Sequence, residues 1–236
     1  MKILYTTLIP KVCKRNELTT IQQHIKSFQT LGHQIELAVA SVYNHKIKKT
    51  KPLIFKQHPA KDYLKYSKAN PAYLRRFEIV PGRERLRQYA IKTDCDVIFY
   101  NDSDQLVDID TLKQALEIFT ECSCVRIAVP HRCVFTRSLQ KSTNSDSFSC
   151  FLIHPIYAHC ADFTEITHIE KASQGKHQIY APDNTYYHAV KEAGATICDL
   201  TESTVTHYQD SETITLVKGK LMENGNLAKR RLLFWG

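Results

Sequence analysis

The sequence has few of the features that mark several large classes of protein. Only 7 glycines and 8 prolines occur in 236 residues, which argues against a fibrous or disordered chain. No apolar run approaches the ~20 residues that a membrane-spanning helix needs, and the N-terminal apolar stretch is too short for a signal peptide. The 8 cysteines include no C-x-x-C pair, so neither a zinc ribbon nor a redox motif is supported. We therefore expect a folded, soluble, cytoplasmic protein with reduced cysteines.

The excess of positive charge is concentrated in one segment. The formal net charge is +8, and residues 44–92 alone carry fourteen Lys or Arg against three acids. The rest of the chain is slightly acidic. Such a basic segment could receive a polyphosphate, an anionic acceptor, nucleic acid or a membrane surface, and many of its lysines could simply cover a solvated loop.

The N-terminal region predicts a β-α-β unit. Lys2 to Leu8 has the composition of a strand, and apolar residues at three- and four-residue spacing between Leu18 and Leu31 predict a helix that Gly32 ends. Residues 35–42 predict a second strand. Two strands joined through a helix pair in parallel with a right-handed crossover, and such units commonly bind nucleotides.

The central motif is an apolar run that leads directly into two acids. Val97 to Tyr100 shows no polar alternation, which predicts a strand covered on both faces. Asp102 and Asp104 follow, with Ser103 between them, and in an extended chain the two carboxylates can converge on one side. Two adjacent carboxylates repel each other unless a cation binds them, and Mg²⁺ or Mn²⁺ prefers such oxygen ligands. A solvated, Asp-rich turn would produce the same short pattern.

Alternating helices and strands continue on both sides of this motif. A helix with Arg83 and Arg87 on one face precedes it, and Asp183 comes directly before a later helix that Gly194 ends. The other predicted elements are a helix at 112–119, strands at 125–129, 151–157 and 196–200, and a basic and aromatic tail at 209–236.

Taken together, these motifs resemble the GT-A glycosyltransferases, most closely the family 2 type of inverting enzymes, over about residues 2–208. The resemblance is carried by the β-α-β unit, the arginine-bearing helix, the Asp102-Ser103-Asp104 motif, Asp183 with Ala193-Gly194, and the late His207. It implies an α/β, Rossmann-like fold with a mostly parallel sheet flanked by helices. It also implies a single domain, 1–236, with a donor half at 1–104, an acceptor half at 105–208 and the tail at 209–236.

The resemblance assigns roles to individual residues. It implies a Mn²⁺ or Mg²⁺ ion bound by Asp104 and His207 with Asp102, and Asp183 as the base that activates an acceptor hydroxyl. Pro182 stands where family members often carry a first acid, and Asp183 could also be a helix N-cap. The implied donor-binding residues are Thr6, Leu8, Ser41, Arg83, Arg87, Asp102 and Ser103.

The implied partners are a nucleotide-diphosphate sugar and an acceptor. After the second strand only Ser41 stands where an acidic base-recognition residue is expected, so UDP-, GDP- and TDP-sugars all remain open as donors. The acceptor could be a glycan, a glycoprotein or a lipid-linked molecule, and the tail could contact a membrane surface or dock on the domain.

Several alternatives are weaker. A sugar-phosphate nucleotidyltransferase would need a Gly-rich loop after the first strand, and residues 8–15 contain no glycine. Residues 44–92 contain no helix-turn-helix, zinc-finger or RNP-type motif that would support nucleic-acid binding. A catalytically inactive nucleotide-sugar-binding protein and a retaining GT-A enzyme also remain open.

Overall fold

The computed structural model describes residues 1–9, 15–42, 53–54, 80–130, 149–160, 169–171, 177–179, 182–208, 213–223 and 226–227. Most of the basic segment 44–92 and the end of the tail lie outside these residues. The elements in chain order are β1 (Lys2–Ile9), α1 (Arg15–Thr30), β2 (Gln34–Ser41), β3 (Leu53–Ile54), α2 (Val80–Ile91), β4 (Val97–Asn101), β5 (Gln105–Val107), α3 (Ile109–Phe119), β6 (Cys124–Ile127), β7 (Cys150–Ile153), a 3-10 helix (Pro155–His159), β8 (Ile169–Lys171), β9 (His177–Ile179), α4 (Pro182–Glu192), β10 (Ile197–Leu200), β11 (Val205–Tyr208), β12 (Thr213–Val217), β13 (Lys220–Glu223) and β14 (Asn226–Leu227).

A mostly parallel, seven-stranded sheet forms the centre of the fold. Its strand order is β10-β6-β7-β4-β1-β2-β3, and only β7 runs against the other six. The predicted α/β class is therefore confirmed, as is the parallel pairing of β1 with β2 on either side of α1. Because six strands point the same way, their C-terminal ends meet at one edge, here called the carboxyl edge.

Strand β4 is buried along its whole length because both faces of the sheet are covered. On the face called the α1 face, Tyr5 and Phe99 pack with residues of α1 and α3. On the opposite α2 face, Ile98 and Tyr100 pack with residues of α2, α4 and the 3-10 helix. This double coverage explains why the strand shows no polar alternation.

Local signals set the helix boundaries. Helix α1 ends through Gly32, whose φ of 80° suits glycine, and the amide of His33 donates to the carbonyl of Phe28. Helix α3 begins after Asp108, whose side chain accepts from the amide of Thr111 at 2.7 Å. Within the described ranges, no helix is long and apolar enough to cross a membrane.

A second, antiparallel sheet has the order β14-β13-β12-β11-β5 and was not expected from the sequence. It begins immediately after the two acids, because β5 starts at Gln105 and pairs with β11, placing Gln105 opposite His207. Part of the predicted tail, residues 213–227, supplies β12 to β14. The sheet therefore joins the acidic motif to the C-terminal region.

One predicted strand is wrong beyond its first few residues. Residues 151–157 were expected to continue as a strand, but β7 stops at Ile153 and the 3-10 helix follows. Pro155 begins that helix, and the ring of His154 accepts a hydrogen bond from the amide of Ile156 at 3.3 Å. Proline with a capping side chain favours a turn of helix over further strand pairing.

Candidate active site

The two acids lie on a tight turn that Asn101 stabilises. The amide of Gln105 donates to the carbonyl of Asp102 at 3.1 Å, which closes the turn. The side-chain amide of Asn101, which is buried, donates to the carbonyls of Asp102 and Gln105 at 2.8 and 2.7 Å. The turn is thus held by its own backbone and by the last residue of β4, at the carboxyl edge.

Asp104 and His207 are brought together by the second sheet. The amide of Tyr208 donates to the carbonyl of Asp104 at 2.8 Å, at the point where β11 passes the turn. The ring atom Nε2 of His207 then lies 3.2 Å from Oδ2 of Asp104, although 103 positions separate the two residues. This pair is one that the sequence predicted.

The other ring nitrogen of His207 determines the tautomer. Nδ1 lies 3.1 Å from the carbonyl oxygen of Pro130, which follows β6. A carbonyl oxygen only accepts, so Nδ1 carries a proton and donates to it. In the neutral ring, Nε2 therefore presents its lone pair toward the carboxylate of Asp104.

Two electron-pair donors at 3.2 Å need a proton or a cation between them. Burial alone lowers the pKa of His207, but the hydrogen bond and charge of Asp104, together with the carbonyl of Pro130, raise it overall. A divalent cation can replace that proton, because imidazole nitrogen and carboxylate oxygen are both ligands of Mn²⁺. The pair therefore fits a metal as two of its ligands.

Asp102 faces a different partner. Its Oδ1 accepts from Nη2 of Arg83 at 3.3 Å, and Arg83 is 8% exposed. Across the described part of the chain, no three His, Cys, Asp or Glu side chains converge closely enough to hold a metal. The third predicted ligand, Asp102, thus lies beside an arginine, and direct metal binding by it stays a prediction.

Ser103, between the two acids, is buried and points toward α1. Its hydroxyl donates to Oε1 of Glu17 at 3.4 Å, and Glu17 stands in the first turn of α1. Asp102, Ser103 and Asp104 therefore contact three different elements, α2, α1 and β11.

Arg87 forms a buried ion pair with Glu84 on its own helix. Its Nε and Nη2 donate to the two carboxylate oxygens of Glu84, both at 2.7 Å, and Nη1 donates to the carbonyl of Ala158 at 2.7 Å. These contacts join α2 to the 3-10 helix. These contacts do not test whether Arg87 also binds a donor, so that contact stays a prediction.

The predicted donor-binding residues of the first two strands are all buried. Thr6 donates from Oγ1 to the carbonyl of Phe99 at 3.2 Å, Leu8 packs on the α2 face, and Ser41 ends β2 at the carboxyl edge. Their contact with a donor stays a prediction.

Asp183 is the second residue of α4, and its side chain lies outside the described residues. The helix leads into β10, which runs parallel to β6. Near its start, Tyr186 packs close to Tyr100 and Phe151, with ring centroids 6.4 and 6.3 Å apart. The first turn of α4 therefore lies toward the carboxyl edge, the same edge as the acidic turn.

Sequence reasoning missed several residues that shape this site. Asn101 and Pro130 were not predicted as site residues, although each directly follows a predicted strand at the carboxyl edge. Glu17 and the buried His24 of α1 were also missed. Their only signal was a polar residue on the buried side of an amphipathic helix.

No protein-family model and no curated protein sequence matches the chain. Among solved structures, it is similar to the bifunctional IspDF from Campylobacter jejuni, with a TM-score of 0.47 and 8% identity over 85% of this chain and 49% of that one. It is also similar to the catalytic domain of Drosophila β1,4-galactosyltransferase 7 in complex with xylobiose, with a TM-score of 0.46 and 9% identity over 84% of this chain and 64% of that one. A third similar structure is S. aureus TarS 1–349 in complex with UDP-GlcNAc, with a TM-score of 0.44 and 14% identity over 85% of this chain and 56% of that one.

The chain thus spans between about half and two-thirds of the length of these structures. Because the TM-scores lie below 0.5, the likeness carries no inference about what this chain binds or catalyses. The functional assignment depends on the geometry of its own residues.

Proposed function

We propose that this chain is a metal-dependent glycosyltransferase that moves a sugar from a nucleotide-diphosphate sugar to an acceptor hydroxyl, with inversion. The observation that carries the proposal is the pair formed by Asp104 and His207, with Oδ2 and Nε2 3.2 Å apart at the carboxyl edge. A parallel α/β sheet binds ligands at that edge. The proposed metal is Mn²⁺ or Mg²⁺.

The metal, when bound, would neutralise the charge that develops on the departing nucleoside diphosphate. The contribution of the chain is to prepare the ligands for that role. The carbonyl of Pro130 fixes the ring of His207 so that Nε2 points to the site, and such an orienting contact is typical of metal-binding histidines. The peptide bond of Asp104 is held by Tyr208.

Arg83 adds positive charge on the other side of the turn. Its guanidinium is almost fully buried and reaches Asp102 at 3.3 Å, so its charge is fixed beside the acidic motif. Guanidinium groups bind phosphate oxygens in a defined geometry. We propose the diphosphate of the donor as the anion that Arg83 helps to bind, with Asp102 near the ribose and the water shell of the metal.

Asp183 is the proposed base. It would accept the proton of the acceptor hydroxyl as that oxygen attacks the anomeric carbon. It stands in the first turn of α4, at the end of that helix that lies toward the carboxyl edge. The acceptor class (a glycan, a glycoprotein or a lipid-linked molecule) is part of the same proposal.

A thermal-shift screen of UDP-, GDP- and TDP-sugars, each with and without Mn²⁺, tests the assignment. One nucleotide class should raise the melting temperature with Mn²⁺ present and much less without it. Hydrolysis of that donor should then also require Mn²⁺. If no donor class stabilises the protein and none is hydrolysed, the proposal is wrong.

A matched pair of variants ties the screen to the site. Asp104→Asn should abolish both the Mn²⁺-dependent shift and donor hydrolysis, because it removes a charged ligand. Asp96→Asn is the control, since Asp96 lies at the opposite end of β4, where it accepts from the amide of Lys2 at 2.7 Å. Donor binding with metal but no turnover would instead identify an inactive nucleotide-sugar-binding protein.

A further inference from the structure

A buried histidine on α1 has no part in the proposed reaction, yet it contacts the strand that follows the acidic turn. His24 is fully buried in the middle of the helix. Its Nε2 lies 2.9 Å from the amide nitrogen of Val107 in β5, and its Nδ1 lies 3.0 Å from the hydroxyl of Tyr5 in β1. One ring therefore connects α1, the central sheet and the second sheet.

The amide of Val107 fixes the protonation of this ring. A backbone N–H only donates, so Nε2 accepts from it, and in the neutral ring the proton then sits on Nδ1 and is donated to the oxygen of Tyr5. Burial lowers the pKa of His24 to about 3, so the ring stays neutral throughout the physiological range. The hydrogen bond to Val107 is therefore present under all conditions in which the protein would work.

The hydrogen bond between Val107 and His24 lies at the edge of the second sheet. Strand β5 is the last strand of that sheet and pairs only with β11 among the described strands. An edge strand leaves amides without a strand partner. The amide of Val107 finds its acceptor in His24, so α1 takes the place of a neighbouring strand.

The same helix also contacts the other end of this short segment. Glu17 lies seven positions before His24, two helical turns, and accepts from the hydroxyl of Ser103. Asp104 lies between the two contact points, Ser103 and Val107. On its other side, β11 bonds to the carbonyl of Asp104 and carries His207.

We propose that His24 is a positioning residue for the Asp104–His207 pair. By holding β5 through the amide of Val107, it sets the distance between the carboxylate and the imidazole that would receive the metal. The inference rests on the proposed metal site and adds a residue to it that no motif suggests. His24 itself touches neither metal nor donor.

The test is the Mn²⁺ affinity of His24 variants, measured by EPR titration of free Mn²⁺ in the absence of any sugar. His24→Leu should weaken binding by about tenfold, the lower end of the effect expected for residues that orient metal ligands. His24→Gln should stay close to the wild type, because its side-chain oxygen can accept from the amide of Val107. Hydrogen exchange at that amide should become faster in the Leu variant only.

Phe28→Leu supplies the control for loss of stability alone. Phe28 is one turn further along α1, fully buried, and packs edge-on against Phe99 with ring centroids 5.3 Å apart. The substitution leaves a cavity and should lower the melting temperature. Because Phe28 does not contact β5 through a hydrogen bond, its Mn²⁺ affinity should equal that of the wild type.

The outcomes separate this inference from the proposed function. If the wild type binds no Mn²⁺, the proposed function fails. If the wild type binds Mn²⁺ and His24→Leu binds it equally well, the function stands and the role of His24 is wrong. Should the Leu variant not fold, His24→Asn, too short to reach the amide of Val107, takes its place, and equal affinity of the Asn and Gln variants overturns the inference.

Discussion

The two faces of the central sheet hold the acidic turn by different physical means. On the α1 face, His24 accepts a hydrogen bond from the amide of Val107, which fixes the backbone that follows the turn, and also bonds to the hydroxyl of Tyr5. On the α2 face, the buried charge of Arg83 reaches Asp102, and a second buried arginine, Arg87, pairs with Glu84 and joins α2 to the 3-10 helix. Asp102 thus contacts the α2 face, whereas Asp104 contacts β11 of the second sheet.

The difference shows why two identical carboxylates one residue apart take different roles. Asp104 faces an imidazole whose orientation is set, which is an arrangement suited to a metal. Asp102 faces a fixed positive charge, which already neutralises it in part. Binding of a metal ion should therefore depend mainly on Asp104, and binding of an anionic donor should depend mainly on the α2 face.

The largest effect should come from Asp183→Asn, at the start of α4 on the α2 face. Loss of a general base lowers kcat by about 10²- to 10⁴-fold. Mn²⁺ affinity should not change, since the metal pair lies on other elements. Steady-state rates with the donor found in the screen, alongside an EPR titration, check this. A rate close to that of the wild type would exclude Asp183 as the base.

Arg87→Met should strongly destabilise the α2 face. The side chains of Arg87 and Glu84 are only 8% and 14% exposed, and removal of one partner leaves the other charge buried. The expected loss is about 3 kcal/mol of unfolding free energy, measured in urea. The double variant Arg87→Met/Glu84→Leu should recover much of this loss. A loss below about 1 kcal/mol in the single variant would show that this pair is effectively solvated.

Tyr186→Phe should have a smaller effect on the same face. The hydroxyl of Tyr186 donates to the carbonyl of Tyr157 at 3.0 Å and so connects α4 to the 3-10 helix. Loss of one buried hydrogen bond costs about 1 kcal/mol. The unfolding free energy of the variant, measured in urea, and its steady-state rate of sugar transfer both check this prediction. A change in Mn²⁺ affinity would contradict the separation of the two faces.

The smallest effect concerns pH and the metal-free protein. The pKa of His207 is raised above 6.5 by Asp104 and Pro130 despite the opposing effect of burial. A raised pKa in the folded state contributes stability that is present below the unfolded pKa and is lost as pH rises through the folded pKa. The stability advantage of the wild type over His207→Gln should therefore shrink with rising pH.

Urea unfolding of both proteins at about pH 5.5 and about pH 8.5 measures this change. Added Mn²⁺ should reverse the trend, because the metal competes with the proton for Nε2 of His207. An advantage that grows with pH in the absence of metal would contradict the assigned contact between His207 and Asp104.

Much of the central sheet could be predicted because its signals are local. The apolar run at β4, the periodic helix α1 and its glycine end are all properties of neighbouring residues. The position of the two acids directly after β4 was also predicted, but the extended chain expected there is a turn, and the two carboxylates face different partners.

The second sheet could not be predicted because its short strands depend on partners distant in sequence. Strand β5 has only three residues and is defined by its pairing with β11, about a hundred positions away. The buried partners of the site are hidden for the same reason. A histidine in a helix gives no sign that it accepts a hydrogen bond from the amide of Val107.

The most direct test of the account is an EPR titration of Mn²⁺ against the wild type, Asp104→Asn and Asp102→Asn. We predict that Asp104→Asn weakens Mn²⁺ binding by more than the roughly 100-fold that loss of a ligand-orienting residue can cost, because it removes a ligand, whereas Asp102→Asn weakens it only slightly because Asp102 is turned toward Arg83. Equal affinities for wild type and Asp104→Asn, or a larger loss in Asp102→Asn, would contradict the assignment of Asp104 and His207 as the metal pair.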